Sequence, residues 1–163
     1  MEYTVIDDFL PQETFNEIRD IMMVGGHLEW YYNSYVGYED DNNEHFQFTH
    51  KIYLDHEPRS NFFFALKPVV DLINPKSLIR IKANLAPRST EIKEQAWHTD
   101  VDYSCRTAIL YMNDNNGYTI FEDGTKIESK ANRFVEFDSQ LKHTGTTHTD
   151  AKVRVVINFN YFK

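Results

Sequence analysis

Two short segments of the chain carry residues that together could bind a metal ion. His98 and Asp100 are separated by one residue, and residues i and i+2 of a β-strand point to the same face. A second imidazole, from His143 on a neighbouring strand, would complete a set of two histidines and one carboxylate. Such a set suits non-haem Fe(II) and leaves coordination positions open for a co-substrate and oxygen. We therefore predict that His98, Asp100 and His143 are metal ligands and catalytic residues.

A basic residue eleven positions after His143 indicates the chemistry of the co-substrate. Arg154 offers a planar, permanently charged guanidinium, which can hold a carboxylate through two parallel hydrogen bonds. A hairpin through residues 144–151 would place His143 and Arg154 on adjacent antiparallel strands. Lys152 is the alternative cation on the same strand face. His148 falls in the predicted hairpin loop and is expected to lie at the surface.

Length, composition and charge limit the class of protein. A chain of 163 residues favours a single domain over 1–163, and 41% hydrophobic with 26% charged residues is typical of a soluble globular protein. The net charge of -8 disfavours a nucleic-acid partner. Cys105 is the only cysteine, which excludes an intrachain disulfide and fits a reducing cytoplasm. No signal-peptide pattern or long apolar run is present, so we expect a cytoplasmic protein with no membrane partner. The oligomeric state is left open.

The pattern of apolar residues changes near residue 78. Residues 1–77 are expected to support the site, and residues 78–163 are expected to form a β-rich core that holds it. Helical spacing predicts helices over 11–23 and 60–73, with Pro68 kinking or splitting the second. Short strand-like runs separated by turn residues predict a sandwich or barrel. The predicted strands cover 3–6, 28–32, 45–54, 78–85, 95–101, 104–112, 117–121, 125–130, 133–137 and 152–161.

The order of these motifs resembles that of the Fe(II)/2-oxoglutarate-dependent dioxygenases, in particular the prolyl 4-hydroxylase-like branch. The compact chain is similar to short, bacteriophage-encoded members of that branch. Tyr118 replaces the second glycine of the branch's Gly-Gly-x-Thr-x-Phe strand. The runs that carry the resemblance are Thr-Ala-Ile-Leu-Tyr-Met-Asn at 107–113, Gly-Tyr-Thr-Ile-Phe at 117–121, Asn-Arg-Phe-Val-Glu-Phe at 132–137, and Arg-Val-Val-Ile-Asn-Phe at 154–159.

This resemblance implies a mainly β (α+β) fold, a double-stranded β-helix or jelly-roll with N-terminal helices packed on one sheet. It implies that His98, Asp100 and His143 bind Fe(II). It also implies that Arg154 pairs with the distal carboxylate of 2-oxoglutarate and that the phenol of Tyr111 contacts the same carboxylate.

Two asparagines are further candidates for the cavity wall. Asn84 and Asn158 are predicted to bind the co-substrate or the substrate, and the alternative is that they only flank the strand ladder. The implied cofactors are Fe(II), 2-oxoglutarate as co-substrate and O2, with ascorbate as a candidate reductant.

The resemblance implies hydroxylation of a C–H bond in a prolyl or other amino-acid residue of a peptide or protein, with succinate and CO2 as co-products. Loops 33–44 and 86–96 would then form the mouth of the site. One alternative is the same chemistry on a free amino acid or small metabolite. Another is a cupin-like metal-binding or structural module that does not use 2-oxoglutarate. Unchanged activity after removal of Arg154 would favour the cupin-like protein, and failure to bind Fe(II) or Mn(II) would favour the structural module.

Overall fold

The computed structural model describes residues 3–36 and 45–163, whose strands form one large and one small β-sheet. Most of the predicted loop 33–44 lies outside the described residues. None of the helices in the described part is long and apolar enough to cross a membrane. In chain order the elements are β1 (Tyr3–Ile6), α1 (Gln12–Met23), β2 (Tyr31–Asn33), β3 (Gln47–Leu54), β4 (Glu57–Pro58), α2 (Phe62–Ala65), α3 (Lys67–Ile73), β5 (Ser77–Pro87), β6 (Arg106–Tyr111), β7 (Tyr118–Phe121), β8 (Lys126–Glu128), β9 (Phe134–Asp138), β10 (His143–Gly145) and β11 (Val153–Phe162).

The two sheets are antiparallel. The large sheet has the order β1-β9-β6-β11-β5-β3-β2, with β4 paired to β3, and the small sheet has the order β10-β7-β8. Strands from the first half of the chain lie at both edges of the large sheet, because β1 pairs with β9 and β3 pairs with β5. The N-terminal region therefore extends the same sheet that carries Arg154, and the prediction of a mainly β fold is confirmed.

Strand alternation divides the core into two layers. On β11, the fully buried Val155, Ile157 and Phe159 point to the face that the helices cover, whereas Val156 packs with Tyr111 towards the small sheet. The helices thus pack on one sheet, as predicted. Their buried residues on this face are Phe15, Ile18, Met22, Phe62, Leu66, Val69 and Ile73.

The helix predicted over 60–73 is split in two. α2 ends at Ala65 and α3 begins at Lys67, with Pro68 in the first turn of α3. Proline has no backbone N–H to donate and is tolerated only in a helix's first turn, so the break occurs where Pro68 requires it.

Two predictions for the elements around the site are wrong. Residues 95–101 do not form a regular strand; in this part of the structure Glu94 and His98 make isolated bridges to Thr146 and His143. The hairpin over 144–151 is also absent, because β10 pairs with β7 in the small sheet whereas β11 lies in the large one. The Thr147 hydroxyl adds to the irregular backbone pairing here: it accepts from Lys93 N and donates to Glu91 O, each at 2.7 Å, while Thr147 N donates to the Lys93 carbonyl at 3.0 Å.

Asn132 joins the N-terminal segment to the β-rich core. Its side-chain amide donates to the Leu10 carbonyl at 2.8 Å and accepts from the Leu10 N–H at 3.0 Å, and its own carbonyl accepts from Phe9 N at 3.0 Å. The residue is buried and has a φ of 63°, a left-handed conformation that asparagine tolerates better than most residues. The side chain therefore fixes the start of α1 against the turn before β9.

Replacing Asn132 with Ala is expected to lower the free energy of unfolding by about 2–4 kcal/mol, because both polar backbone groups of Leu10 lose their buried partners. Asn132→Gly relieves the positive φ but removes the same bonds, so a loss of similar size is expected. Urea denaturation measures both variants. Wild-type stability in Asn132→Gly would show that backbone conformation, rather than the two hydrogen bonds, makes Asn132 important.

Candidate active site

The three predicted ligands come together at one edge of the space between the sheets. One potential ligand atom from each of His98, Asp100 and His143 lies within 4.8 Å of the other two. Reciprocal backbone hydrogen bonds of 3.0 Å join His98 to His143, and the two imidazole centroids are 4.8 Å apart. The irregular segment 95–101 therefore delivers two of the side chains to the strand that carries the third.

Each imidazole is oriented through its Nδ1 atom. The Nδ1 of His98 lies 2.9 Å from the carbonyl oxygen of Ala96, and that of His143 lies 2.9 Å from the carbonyl oxygen of Leu141. Because a carbonyl only accepts, this arrangement favours a proton on Nδ1 and a lone pair on Nε2, the tautomer that binds a metal through Nε2. Burial lowers the pKa of His143, which keeps its imidazole neutral.

The third group, Asp100, is held by a polar network. Its side chain is 5% exposed, Oδ2 accepts from Asn160 Nδ2 at 3.1 Å, and Oδ1 lies 3.4 Å from the Arg80 guanidinium. Arg80 also donates to Asn160 Oδ1 at 2.9 Å, which fixes the amide orientation. Burial by itself would raise the pKa of Asp100, but His143, Arg80 and the Asn160 hydrogen bond together hold that pKa below its usual value. The carboxylate is thus charged and oriented.

A cavity of about 280 Å³ opens beside these three residues. Alternate residues of β5 and β11 form its wall on the large sheet, and residues of β7 and β10 contribute from the small sheet. The polar side chains of the wall include three cations and two asparagine amides besides the predicted ligands. They are Arg80, Lys82, Asn84, Gln47, Gln95, Thr99, Thr119, Arg154 and Asn158.

Arg154 is a buried cation in this wall. It is 8% exposed; its Nε donates to Ser129 Oγ at 3.0 Å and one terminal nitrogen lies 3.5 Å from Thr119 Oγ1. Within residues 3–36 and 45–163, no carboxylate forms an ion pair with it. Burial lowers the pKa of Arg154, yet a guanidinium stays protonated in proteins. A buried charge with only neutral partners is costly, so this position is suited to an anion supplied from the cavity.

Two glycines leave room for this guanidinium. A Cβ atom at Gly117 would meet Arg154 Cδ at 3.1 Å and the carbonyl oxygen of Thr147 at 3.1 Å. A Cβ at Gly145 would lie 3.6 Å from an Arg154 terminal nitrogen and 3.1 Å from Gln95 Oε1. The backbone of the small sheet can therefore approach Arg154 closely.

The other predicted binding residues differ in their access to the cavity. Tyr111 is fully buried and donates to Thr119 Oγ1 at 2.7 Å, and Thr119 rather than Tyr111 lines the cavity. Burial raises the pKa of Tyr111, so the phenol remains a donor that orients the Thr119 hydroxyl. Asn84 and Asn158 both line the cavity, and in the described part of the chain their buried Oδ1 atoms have no hydrogen-bond partner. Buried amides are normally paired, which suggests that a ligand supplies the missing donors.

Several residues of the site were not found from the sequence. Arg80, Asn160 and Ser129 act on Asp100 or Arg154, and Thr119 and Lys82 line the cavity. Asn160 shares a strand face with Arg154 and Asn158, and that alternation is the signal that could have identified it.

Two secondary expectations can also be compared with the structure. His148 was expected at the surface but is fully buried, and its backbone carbonyl accepts from Ser89 N at 2.9 Å. Lys152, the alternative to Arg154, is exposed and does not line the cavity.

His143→Ala is expected to weaken Mn(II) binding by more than about 100-fold, the upper range for removing a residue that merely orients a ligand. Isothermal titration calorimetry measures the affinity, and His27→Ala, which removes an exposed imidazole, is the matched control. Because burial holds the pKa of His143 below the ordinary 6.5, binding is expected at pH 7 and its loss as the pH falls well below 6.5. Equal binding by the two variants would contradict the ligand assignment.

Asn160→Ala is expected to weaken Mn(II) binding by about 10–100-fold, because Asp100 loses the amide that orients it. Asn158→Ala, on the same face of β11 but without a contact to Asp100, is expected to bind Mn(II) like the wild type. The same titration compares the two variants. If both lost affinity equally, the effect would come from general disturbance of β11 and not from orientation of the carboxylate.

Comparison with known proteins bears on the fold. No protein-family model matches the chain, and no curated protein matches it in sequence. A prolyl-4-hydroxylase from Pseudomonas putida is similar in structure, with a TM-score of 0.65, 15% identity, and coverage of 99% of this chain and 92% of that one.

Two further solved structures show the same similarity. A prolyl hydroxylase from Trichoplax adhaerens, in complex with a peptide fragment of the hypoxia inducible factor oxygen degradation domain, has a TM-score of 0.65 and 15% identity over 98% of this chain and 83% of that one. The non-heme alpha ketoglutarate dependent epimerase SnoN from nogalamycin biosynthesis has a TM-score of 0.69 and 14% identity over 99% of this chain and 77% of that one. The chain thus has the jelly-roll fold of the prolyl 4-hydroxylases and other 2OG-Fe(II) oxygenases, as its motifs predict.

Proposed function

We propose that the protein is an Fe(II)- and 2-oxoglutarate-dependent oxygenase that hydroxylates a C–H bond of a prolyl or other amino-acid residue in a peptide or protein. One observation carries the proposal: the buried cation Arg154, without a carboxylate partner in the described residues, shares a cavity with His98, Asp100 and His143. Three metal-binding residues by themselves would also suit a cupin-like protein. The guanidinium of Arg154, which has no carboxylate partner in the described residues, is in addition suited to an anion, and a dianionic co-substrate would reach from the metal to Arg154.

The residues of the site have distinct tasks in this proposal. His98, Asp100 and His143 would hold Fe(II) through two Nε2 atoms and one carboxylate oxygen. Arg154 would bind the distal carboxylate of 2-oxoglutarate, assisted by the Thr119 hydroxyl that it already contacts. Iron and 2-oxoglutarate, when bound, activate O2 for C–H oxidation and yield succinate and CO2 as co-products.

The remaining polar groups would orient what enters the cavity. Tyr111 donates to Thr119 and so directs that hydroxyl, while Asn84 and Asn158 offer amide groups to the co-substrate or the substrate. Val156 and Ile109 lie between these polar groups and keep part of the wall apolar. All of these residues come from strands of one continuous core, which supports a single catalytic domain over 1–163.

The choice of substrate rests on the similar structures. A peptide is bound to the Trichoplax adhaerens prolyl hydroxylase, and this supports an amino-acid residue within a peptide or protein as the target. The similarity to SnoN favours one second candidate, the same oxygen chemistry on a small metabolite. Succinate release with proline-containing peptides and with free amino acids separates the two.

Anaerobic titration of the Fe(II)-loaded protein with 2-oxoglutarate tests the co-substrate assignment. The wild type is expected to develop the weak visible charge-transfer band of the chelate, and Arg154→Ala is expected to require at least about 10-fold more 2-oxoglutarate, because a charge-assisted pair contributes about 1.5–3 kcal/mol. Lys152→Ala removes an exposed cation two residues away and is the matched control.

The control is expected to titrate like the wild type. Iron binding without a chelate band in the wild type would contradict the proposal and favour a cupin-like protein, and absence of iron binding would favour a structural module. A band that is equally strong in Arg154→Ala would show that 2-oxoglutarate binds without this guanidinium.

A further inference from the structure

Lys82 lies in the wall of the cavity and has no task in the function proposed above. It is half-buried on the face of β5 that carries Arg80 and Asn84, and directly opposite Asn158 of β11. Among the described residues no hydrogen bond or ion pair involves its ammonium group. Its ammonium group is therefore available to a ligand that binds in the cavity.

The charges of the cavity wall do not balance. Arg80, Lys82 and Arg154 are opposed by a single carboxylate, Asp100, among the described lining residues. Arg80 lies 3.4 Å from that carboxylate, and Arg154 is assigned to the co-substrate. Ferrous iron and 2-oxoglutarate bring equal and opposite charges, so their binding leaves the excess of positive charge unchanged. Among these lining cations, Lys82 is the one whose charged group has neither an ion pair nor a hydrogen bond with the described residues.

The nearest charged neighbours of Lys82 on the sheet are also cations. Lys51 of β3 is its cross-strand partner, but Lys51 is exposed and does not line the cavity. Arg80 is two residues away on the same face of β5 and does line it. A protein with a net charge of -8 thus places Arg80 and Lys82 together in the wall that holds the predicted metal ligands. An anion that binds at this position would offset the repulsion between these two cations.

The amide of Asn158 provides a second polar group at the same position. Asn158 is in direct register with Lys82 across β5 and β11, and its buried Oδ1 lacks a partner among the described residues. The ammonium group of Lys82 can donate to a carboxylate oxygen, whereas Asn158 Oδ1 only accepts and would pair with a neighbouring N–H or O–H donor of the same ligand. Two positive charges are in excess, but Arg80 already contacts Asp100 and Asn160, so a singly charged carboxylate matches Lys82.

We propose that Lys82 binds a carboxylate of the substrate, so that the enzyme acts on a substrate that carries a carboxylate near the oxidised carbon. This inference rests on the proposed function, because it assigns the carboxylates of 2-oxoglutarate to Arg154 and the metal. The carboxylate belongs either to a free α-carboxyl group, as in a C-terminal residue, or to an acidic side chain next to the target residue.

Burial and the neighbouring Arg80 lower the pKa of Lys82 to about 8. The ammonium form is still the major one at pH 7. Since burial disfavours the charged form, an anion that binds Lys82 is expected to raise this pKa towards its ordinary value.

The test uses Mn(II)-loaded protein with 2-oxoglutarate, because Mn(II) broadens the proton resonances of any small molecule that binds beside it. The probes are N-acetyl-L-proline and its neutral counterpart N-acetyl-L-prolinamide, followed by Pro-Glu and Pro-Gln dipeptide amides. If the α-carboxyl group is recognised, the wild type is expected to bind N-acetyl-L-proline about tenfold more tightly than N-acetyl-L-prolinamide. If an acidic side chain is recognised, the wild type is expected to bind the Pro-Glu amide about tenfold more tightly than the Pro-Gln amide.

Variants of Lys82 then separate charge from shape. Lys82→Gln is expected to abolish the tenfold preference for the acidic probe, and Lys82→Arg is expected to retain most of it. Lys51→Gln, which removes the exposed neighbouring charge, is the matched control and is expected to keep this preference. The chelate band with 2-oxoglutarate is expected to be unchanged in Lys82→Gln.

Three other outcomes would contradict either the role of Lys82 or the proposed function. Equal binding, or no binding, of acid and neutral probes in a wild type that forms the 2-oxoglutarate chelate would overturn the role of Lys82 and leave the proposed function intact. Loss of the chelate band in Lys82→Gln, as in Arg154→Ala, would assign Lys82 to the co-substrate and overturn the inference. A wild type without the band would contradict the proposed function itself.

Discussion

Strand β11 imposes the constraint on which the rest of the structure depends. Its alternate residues serve two environments: Val155 and Ile157 pack under the helices, whereas Arg154 and Asn158 line the cavity and Asn160 holds Asp100 beside it. A shift of one residue in the register of β11 would bury the polar set under the helices and direct the apolar set into the cavity. The pairing of β11 with both β5 and β6 prevents that shift, so the stability of the core and the geometry of the site are specified by the same hydrogen bonds.

Electrostatics within the cavity oppose the charge of the whole protein. The net charge is -8, yet the described cavity wall carries more cations than carboxylates. Asp100 remains charged despite burial because Arg80 and Asn160 hold it, and the imidazole of His143 remains neutral because burial lowers its pKa. These opposite responses to burial give a carboxylate and a neutral nitrogen, which are the protonation states that a metal ion requires. The cations that remain determine which ligands can follow the metal.

Local patterns in the sequence predicted the chemistry better than the connections between strands. The i, i+2 spacing of His98 and Asp100 and the position of Arg154 identified side chains that the structure brings to one cavity. The predictions of a strand over 95–101 and a hairpin over 144–151 were wrong: His98 makes only an isolated bridge to His143, and β10 pairs with β7 in the small sheet whereas β11 lies in the large sheet. The alternation of Asn160 with Arg154 and Asn158 along β11 could have marked it as a residue of the site, but its contact with Asp100, sixty residues away, depends on how the strands pair.

The polar groups of the site come from both sheets, and two of them have no partner among the described residues. His143 lies on the small sheet and Arg154 on the large one, whereas the two amide oxygens without a partner, those of Asn84 and Asn158, lie on neighbouring strands of the large sheet. Each such group costs stability in the absence of a ligand, and the apolar layer beneath the helices must offset that cost. A ligand that contacted the metal trio and Arg154 together would satisfy groups on both sheets at once. Binding would therefore stabilise the packing of the two sheets against each other.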